Sequence, residues 1–289
     1  MNLPKQVEIV EVSPRDGLQM LPLFVPTEDK IKLIELAKDA GFRRIEAVSF
    51  VSPKAVPQMA DAGEILAAIG DDPNIDEVAL ALNERGYKSA IEAGVDWICY
   101  VMAATETMSL KNANTTIAGG LAMTKKCIAD AHERKIKVRA SIAVTWVCPY
   151  EGEVPKERVL EITKELVEVG ADEIAFNDTV GKAVPNDVYE LCSQAKKLFP
   201  NQQFAAHFHD TNFTALANIY AALTADWNIF DSSAGGLGGC PFSPGASGNI
   251  ATEKVVWMLE KMGISTGIDT DKLELAAKFA KQIGAKAKA

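Results

Sequence analysis

The chain has 289 residues, of which 48% are hydrophobic and 24% charged, and its formal net charge is -9. This length suffices to bury a large core in one or two domains, and the composition is that of an ordinary globular protein. The negative balance argues against the basic surfaces that bind nucleic acid or anionic membranes, and no apolar run approaches the ~20 residues needed to cross a bilayer.

Short β-rich runs alternate with amphipathic or helix-forming stretches along nearly the whole chain. The predicted strands, one to eight in chain order, are residues 7–12, 44–50, 77–82, 97–103, 138–144, 173–177, 203–209 and 229–232. The predicted helices are residues 27–40, 85–93, 115–134, 155–169, 186–198, 214–225 and 251–262. The residues after Gly267 are typical of a terminal helix with a frayed tail.

Eight β/α units predict an α/β protein of the (β/α)₈ TIM-barrel class, a fold of about 250 residues. The structural alternative is a doubly wound open sheet, which normally has a glycine-rich turn after its first strand. This chain instead has the charged loop Ser13-Pro14-Arg15-Asp16-Gly17 at that point. Because no linker-like stretch divides the chain, we expect a single catalytic domain over residues 1–289 with a short C-terminal helical extension.

The N-terminus leads directly into a strand-like segment, without the charged and apolar regions of a signal peptide. The cysteines are odd in number, scattered and without a C-x-x-C pair, which is typical of reduced thiols. They are Cys99, Cys127, Cys148, Cys192 and Cys240. We therefore expect a cytoplasmic protein without a disulfide framework.

Two of the three histidines, His207 and His209, stand two residues apart at the end of the predicted seventh strand. Residues two apart in a strand point to the same face, so both imidazoles would converge on one point and could hold a divalent metal ion. An isolated H-x-H sequence is also found in structural roles. Whether the pair binds a metal ion or has a structural role therefore depends on which other residues lie near it.

Other polar residues lie where the predicted strands end, which is where TIM-barrel active sites collect. They are Arg15, Asp16, Glu46, Asn177, Asp178, Thr179, Cys240 and Asn249. Each has a structural alternative: Asp16 and Asp178 could cap turns, Glu46 could form an ion pair, and Cys240 could be a small loop residue. Their joint placement at one end of a barrel favours the functional interpretation.

Asp16 and the amide oxygen of Asn249 could complete a mixed nitrogen and oxygen site with the two histidines. A metal ion there would polarise a substrate hydroxyl and a neighbouring carbonyl. Arg15 could neutralise a developing oxyanion, and the thiol of Cys240, with an ordinary pKa near ~8.5, could donate a proton from its glycine-rich loop. This equipment suits a carbon–carbon bond cleaved or formed through an enolate better than it suits hydrolysis.

From about Val7 to beyond Gly267 the chain resembles the 3-hydroxy-3-methylglutaryl-CoA lyase family. The matching segments are Pro-Arg-Asp-Gly-Leu-Gln (14–19), Ser-Phe-Val-Ser-Pro-Lys (49–54), Val-Pro-Gln-Met (56–59), Cys-Pro-Tyr-Glu-Gly (148–152), His-Asp-Thr (209–211), Ala-Leu-Ala-Asn (215–218) and the glycine-rich stretch 236–253. The last of these, Gly-Leu-Gly-Gly-Cys-Pro-Phe followed by Gly-Ala-Ser-Gly-Asn-Ile-Ala-Thr-Glu, is the most specific.

The resemblance implies a metal-dependent barrel that splits an acyl-CoA into acetoacetate and acetyl-CoA. By this resemblance Arg15 would stabilise the enolate oxygen, Cys240 would protonate the carbanion, and His207 or Asp16 would accept the hydroxyl proton. Mg²⁺ or Mn²⁺ would be bound by Asp16, His207, His209 and Asn249. A homodimer is implied by the resemblance alone.

The resemblance also implies supporting roles for further residues. Glu46 and Asp178 would orient the catalytic groups, Thr179 and Glu253 would support the site, and the substrate pocket would be lined by Gln19, Ser49 and Ser141. The chain also departs from the family pattern at several positions in or near this pocket. They are Met20, Ala55, Ser141, Asn177 and Asn212-Phe213-Thr214. The reaction type is therefore better defined than the acyl group.

Three other functions remain open from the sequence. A condensing synthase of the isopropylmalate or citramalate type shares the H-x-H pair and the Arg-Asp start, but such enzymes are longer, with extra C-terminal domains. A non-catalytic barrel that binds acyl-CoA or metal as a sensor would not need Arg15, Asp16 and Cys240 together with the metal ligands. A lyase acting on a different 3-hydroxyacyl-CoA is the third alternative.

Overall fold

The computed structural model describes residues 3–239 and 248–288. Eight parallel strands in these residues close into a barrel, in which each strand pairs with its neighbours in sequence and the last pairs with the first. The strands are β1 (Glu8–Glu11), β2 (Arg44–Ser49), β3 (Asp76–Ala81), β4 (Trp97–Ala103), β5 (Lys137–Ala143), β6 (Glu173–Asp178), β7 (Gln203–Phe208) and β8 (Ile229–Ser232). The predicted (β/α)₈ barrel is confirmed.

Helices surround the barrel and cover the outer face of its strands. They are α1 (Thr27–Asp39), α2 (Ala62–Ile69), α3 (Glu84–Ala93), α4 (Glu106–Ala113), α5 (Ile117–Glu133), α6 (Lys156–Glu168), α7 (Pro185–Leu198), α8 (Ala215–Thr224), α9 (Thr252–Lys261) and α10 (Thr270–Lys286). The predicted terminal helix is α10, which packs against α1. Across the described ranges, no helix combines the length and the apolar character needed to span a membrane.

Some local elements differ from the prediction. The helices α2 and α4 have only eight residues each, too short for their hydrophobic period to stand out in the sequence. Two very short antiparallel strands, Val147–Cys148 and Gly152–Glu153, follow β5. The strand β7 ends at Phe208 rather than at His209, because His209 leaves the ladder and forms an antiparallel bridge with Asn249.

The main core lies between the outer face of the strands and the helices, and an aromatic cluster occupies one side of it. The ring of Phe176 on β6 lies 5.0 Å from the ring of Trp227 and 5.9 Å from that of Phe204, measured between centroids. Phe176 is fully buried. Since side chains alternate along a strand, Phe176 faces the helices while its neighbours Ala175 and Asn177 face the barrel interior.

Charged side chains close the N-terminal end of the barrel interior. Glu173 lies 2.9 Å from Arg139 and 2.8 Å from Arg44, and Arg44 lies 2.7 Å from Glu8. Glu173, Arg139 and Arg44 are buried. Buried charges are tolerated when they are paired, so this group acts as a polar floor beneath the open C-terminal end.

We expect Phe176→Ala to lower the free energy of unfolding by about 3–5 kcal/mol, because it removes a large side chain from a closely packed cluster and leaves a cavity. The matched control is Phe213→Ala, since Phe213 is 84% exposed. That variant should stay within about 0.5 kcal/mol of the original protein. Urea unfolding followed by circular dichroism measures both, and equal losses in the two variants would contradict the assigned core.

Candidate active site

Arg15 and Asp16 are placed by a single π-helical turn, Ser13–Gly17, that directly follows β1. The backbone amides of Asp16 and Gly17 both donate to the carbonyl oxygen of Val12, at 2.8 and 3.2 Å. A Cβ atom at Gly17 would lie 3.0 Å from the carbonyl oxygen of Leu237. Glycine is therefore needed at this point because the loop after β8 packs closely against the turn.

Glu11, the last residue of β1, joins this turn to the loop after β8. Its buried carboxylate accepts hydrogen bonds from the amides of Ser13 and Ala234 and from the hydroxyl of Thr252, each at 2.9 Å. Burial raises the pKa of Glu11 although these hydrogen bonds act in the opposite direction. Sequence reasoning did not identify this residue, and the only signal was a carboxylate at the end of an otherwise apolar strand.

Asp16, His207 and His209 converge at the C-terminal end of the barrel, as the sequence predicts. One carboxylate oxygen and one nitrogen from each histidine all lie within 4.8 Å of one another. Nε2 of His209 is 4.0 Å from Oδ2 of Asp16. Both histidines are buried, and they face the interior because they stand two residues apart.

Asn249 reaches the same point through the bridge between its segment and His209. Its Nδ2 donates to Oδ2 of Asp16 at 2.7 Å and to the carbonyl oxygen of Leu237 at 3.3 Å. Its Oδ1 has no hydrogen-bond partner within residues 3–239 and 248–288. A Cβ at Gly238, where φ is +127°, would lie 2.8 Å from Nδ2 of Asn249, so this approach requires glycine. The amide oxygen is thus left for a ligand.

The electrostatics of this group suit a divalent cation. Burial alone would raise the pKa of Asp16, but the charges of Arg15, His207 and His209 and the hydrogen bond from Asn249 hold it well below its usual range. Burial, together with the neighbouring His207, lowers the pKa of His209 to about 4. At neutral pH the site therefore offers an ionised carboxylate, a neutral imidazole and a buried amide oxygen, and these residues fit a metal ion.

Arg15 lies beside the cluster and is held from two sides. Its guanidinium donates to Asp16 and, at 2.7 Å, to Oε2 of Glu46. Glu46 is buried on β2. The structural alternative for Glu46, an ion-pair partner, is thus observed, and its role in orienting the catalytic groups stays a prediction.

A cleft of about 490 Å³ opens above these residues. Its lining includes the polar residues Arg15, Asp16, Asn177, His207 and His209. It also includes the apolar residues Val51, Leu80, Leu82, Val101 and Met108. Gln19, predicted to line the substrate pocket, is among the lining residues.

The other two predicted pocket residues do not line this cleft. Ser141 lies beneath it, and its hydroxyl donates to Oδ1 of Asn177 at 3.1 Å. Ser49 is fully buried and lines a neighbouring cavity of about 670 Å³. The reason is that β2 ends at Ser49, below the rim, and the rim is formed by the next residues, Val51 and Ser52.

Asp178 and Thr179 hold the turn after β6. The carboxylate of Asp178 accepts hydrogen bonds from the amides of Lys182 and Ala183, each at 3.0 Å, and burial raises its pKa to about 6. Thr179 lines the cleft, and its hydroxyl accepts from the amide of Val144 at 2.9 Å. The turn-capping alternative for Asp178 is thus observed, and its catalytic role stays a prediction.

The remaining predicted residues are Glu253 and Cys240. Glu253 accepts a hydrogen bond from the amide of Gly235 at 3.0 Å and pairs with Lys281 at 2.9 Å, so it supports the turn after β8. Cys240 lies outside the described residues. Sequence reasoning also missed Asp231 and Arg139, which lie behind His207 in the barrel interior.

The comparisons with known proteins agree with one another. The family model described as HMGL-like matches residues 6–279. The hydroxymethylglutaryl-CoA lyase YngG of Bacillus subtilis is 43% identical over 279 residues, covering 96% of this chain and 93% of that protein. The 3-hydroxy-3-isohexenylglutaryl-CoA/hydroxy-methylglutaryl-CoA lyase of Pseudomonas aeruginosa is 41% identical over 269 residues, covering 93% and 90%. The structure of an HMG-CoA lyase from Acinetobacter baumannii in complex with coenzyme A and 3-methylmalate superposes with a TM-score of 0.93 at 37% identity, covering 99% of this chain and 93% of that one.

We expect Asp16→Ala to weaken Mn²⁺ binding, measured by isothermal titration calorimetry. Loss of a residue that only hydrogen-bonds to a metal ligand costs roughly 10- to 100-fold in affinity, and loss of Asp16, as a direct ligand, should cost more. The matched control is Asp172→Ala, because Asp172 also pairs with a histidine, His132, at 2.9 Å but lies before β6. The control should bind Mn²⁺ as the original protein does. Equal affinity in Asp16→Ala and the original protein would remove Asp16 from the metal site.

We expect the ionised form of Asp178 to cost stability, because its pKa of about 6 in the fold exceeds its ordinary 3.8. The sign follows from linkage: the folded state binds the proton more readily, so the cost grows as pH rises from about 4 to about 6 and is constant above that. Between pH 5 and pH 8, Asp178→Asn should therefore gain about 1–2 kcal/mol relative to the original protein.

Urea unfolding of the metal-free proteins at pH 5 and at pH 8 measures the effect of Asp178→Asn. Comparing the two proteins at each pH cancels the other titrating groups. A stability difference that stays constant between pH 5 and pH 8 would show that the fold does not raise the pKa of Asp178.

Proposed function

Because this chain belongs to the HMGL-like family, we propose that it cleaves 3-hydroxy-3-methylglutaryl-CoA to acetyl-CoA and acetoacetate with the help of a divalent metal ion. It is a carbon–carbon lyase. The observation that carries the proposal is the convergence of Asp16, His207 and His209 beside Arg15 at the floor of the cleft. The relatives named above as hydroxymethylglutaryl-CoA lyases support the substrate.

The metal ion would be Mg²⁺ or Mn²⁺, held by Asp16, His207, His209 and Asn249. When bound, it would polarise the hydroxyl on C3 of the substrate and the oxygen of a neighbouring carbonyl group. Two oxygen donors favour binding of this metal ion: the ionised carboxylate of Asp16 and the buried Oδ1 of Asn249. The hydroxyl proton leaves to a base beside the metal site: Asp16 is the candidate when Nε2 of His207 binds the metal ion, and His207 is the candidate when it does not.

Arg15 then acts on the charge that develops when the bond between C2 and C3 breaks. The electron pair of that bond moves to the thioester oxygen and forms an enolate, while C3 becomes the ketone of acetoacetate. The guanidinium of Arg15 is fixed by Asp16 and Glu46 and lines the cleft. A cation already in position stabilises the enolate oxygen without reorganisation during the reaction.

Cys240 completes the reaction as the proton donor. Its thiol gives a proton to C2 of the enolate, which yields the methyl group of acetyl-CoA and leaves a thiolate to be reprotonated. The support for this role is its position in the sequence, one residue after Gly239, which lines the cleft. An ordinary thiol pKa near ~8.5 keeps the sulfur protonated at neutral pH.

A second substrate class is favoured by the apolar part of the cleft lining. Val51, Leu82 and Met108 line the same cleft as Asp16, His207 and His209. The Pseudomonas aeruginosa relative is named for a substrate with an isohexenyl group as well as for the methyl compound. We therefore include 3-hydroxyacyl-CoAs with larger apolar groups on C3 among the candidate substrates. The condensing synthase alternative is not favoured, because the named relatives are lyases.

The acyl-CoA substrate is supported by the coenzyme A complex of the Acinetobacter baumannii protein. We further propose that residues 1–289 form one catalytic domain, that the enzyme is a homodimer, and that it works in the cytoplasm. The homodimer rests on family resemblance, and the cytoplasm on the scattered cysteines without a C-x-x-C pair.

An assay of the purified protein tests the proposal. With Mg²⁺ or Mn²⁺, 3-hydroxy-3-methylglutaryl-CoA should give equal amounts of acetyl-CoA and acetoacetate, and chelation with EDTA should abolish turnover. Arg15→Gln should lower kcat by about 10²–10³, as removal of one oxyanion donor does. The matched control is Arg158→Gln, on the half-exposed face of α6, which should keep full activity.

Three outcomes separate the alternatives. Turnover of a larger 3-hydroxyacyl-CoA without turnover of the methyl compound would move the proposal to the second substrate class. Condensation of acetyl-CoA with a 2-oxo acid, without cleavage of any acyl-CoA in the panel, would favour the synthase. Cleavage that persists unchanged in Arg15→Gln would contradict the role given to Arg15.

A further inference from the structure

The two metal-site histidines differ in how their second ring nitrogen is used. Oδ2 of Asp231 lies 3.2 Å from Nδ1 of His207. Nδ1 of His209, by contrast, has no hydrogen-bond partner in the described part of the chain. Asp231 on β8 and His207 on β7 are paired in register, so both side chains point to the same face, the barrel interior. His207 is therefore the histidine whose ring the protein holds in place.

Asp231 is itself fixed by a buried chain of charges. Its other oxygen, Oδ1, accepts a hydrogen bond from a terminal nitrogen of Arg139 at 2.8 Å. Arg139 is paired with Glu173 at 2.9 Å, and Glu173 with Arg44 at 2.8 Å. Asp231 is 6% exposed and Arg139 is 2% exposed. With both oxygens engaged, the carboxylate has no freedom to turn away from His207.

We propose that Asp231 is a positioning residue that fixes the tautomer and orientation of His207, so that Nε2 faces the metal ion. An ionised carboxylate can only accept a hydrogen bond, which requires the proton of a neutral imidazole to be on Nδ1. The lone pair is then on Nε2, the nitrogen that Asp231 leaves free. The inference rests on the proposed metal site but not on the identity of the acyl-CoA.

Asp231→Asn tests the proposal because it keeps the size of the side chain and removes its charge. The guanidinium of Arg139 can only donate, so the one oxygen of the new amide stays with Arg139 and its NH₂ group faces His207, which disfavours the Nδ1–H tautomer. We expect Mn²⁺ affinity, measured by calorimetry on the full chain, to fall about 10- to 100-fold. The ¹⁵N chemical shifts of the His207 ring in the Mg²⁺-loaded protein should no longer be those of the Nδ1–H tautomer.

The matched control is Glu173→Gln, which makes the same chemical change in the same buried chain but without contact with His207. It should lower the melting temperature while leaving the Mn²⁺ affinity and the His207 ring shifts unchanged. Asp231→Glu, which retains an ionised acceptor, should recover part of the lost affinity. If Glu173→Gln weakens Mn²⁺ binding as much as Asp231→Asn does, the role of Asp231 is only structural.

The original protein gives a test that needs no variant to fold. Its His207 ring, with Mg²⁺ bound, should show the shifts of the Nδ1–H tautomer. An Nε2–H tautomer would overturn the proposal. Because these measurements use the metal ion alone, they can fail while the lyase activity is present, or succeed while it is absent, so the two proposals are tested separately.

Discussion

The pairing of β1 with β8 is the contact on which the site depends. It aligns Glu8 with Ile229 and Glu11 with Ser232, and so joins the two ends of the chain. Asp16 follows the first of these strands and Asn249 follows the last, and the hydrogen bond between them exists only because the barrel closes there. The buried carboxylate of Glu11 binds backbone amides on both sides of this seam. Closure of the barrel therefore also brings Asp16 and Asn249, two of the proposed metal ligands, together.

The interior of this barrel is divided by polarity along its axis. Paired arginines and carboxylates fill the N-terminal end, small apolar side chains such as Val10, Ala175 and Ala205 form a thin layer above them, and the metal ligands lie at the open end. A buried ion pair stabilises a fold little compared with apolar packing of the same volume. One acid of this group, Asp231, contacts Arg139 through one oxygen and His207 through the other.

The barrel and the centre of the site could be predicted because they follow from residue order. Alternate residues of a strand share a face, and the ends of barrel strands share a rim, which together bring the histidine pair to Asp16. Asp231 could not be found in this way, because the acid that meets His207 depends on the register between β7 and β8. The placement of Ser49 failed for a related reason, since it depends on the residue at which β2 ends. The short helices α2 and α4 carry too few residues to show a period.

Arg15 lies beside the proposed metal site, and its guanidinium is the positive charge proposed to act on the enolate. Its guanidinium contacts the carboxylates of Asp16 and Glu46 at the same time. If the guanidinium moved away, these two buried or partly buried carboxylates would lose their ion-pair partner. An uncompensated buried charge costs several kcal/mol, more than the rotamer entropy gained by releasing the side chain. The cation is therefore held in the cleft before any substrate arrives. A positive charge fixed in this manner stabilises an enolate oxygen more effectively than a mobile one, because the free energy of orienting it has already been supplied by folding.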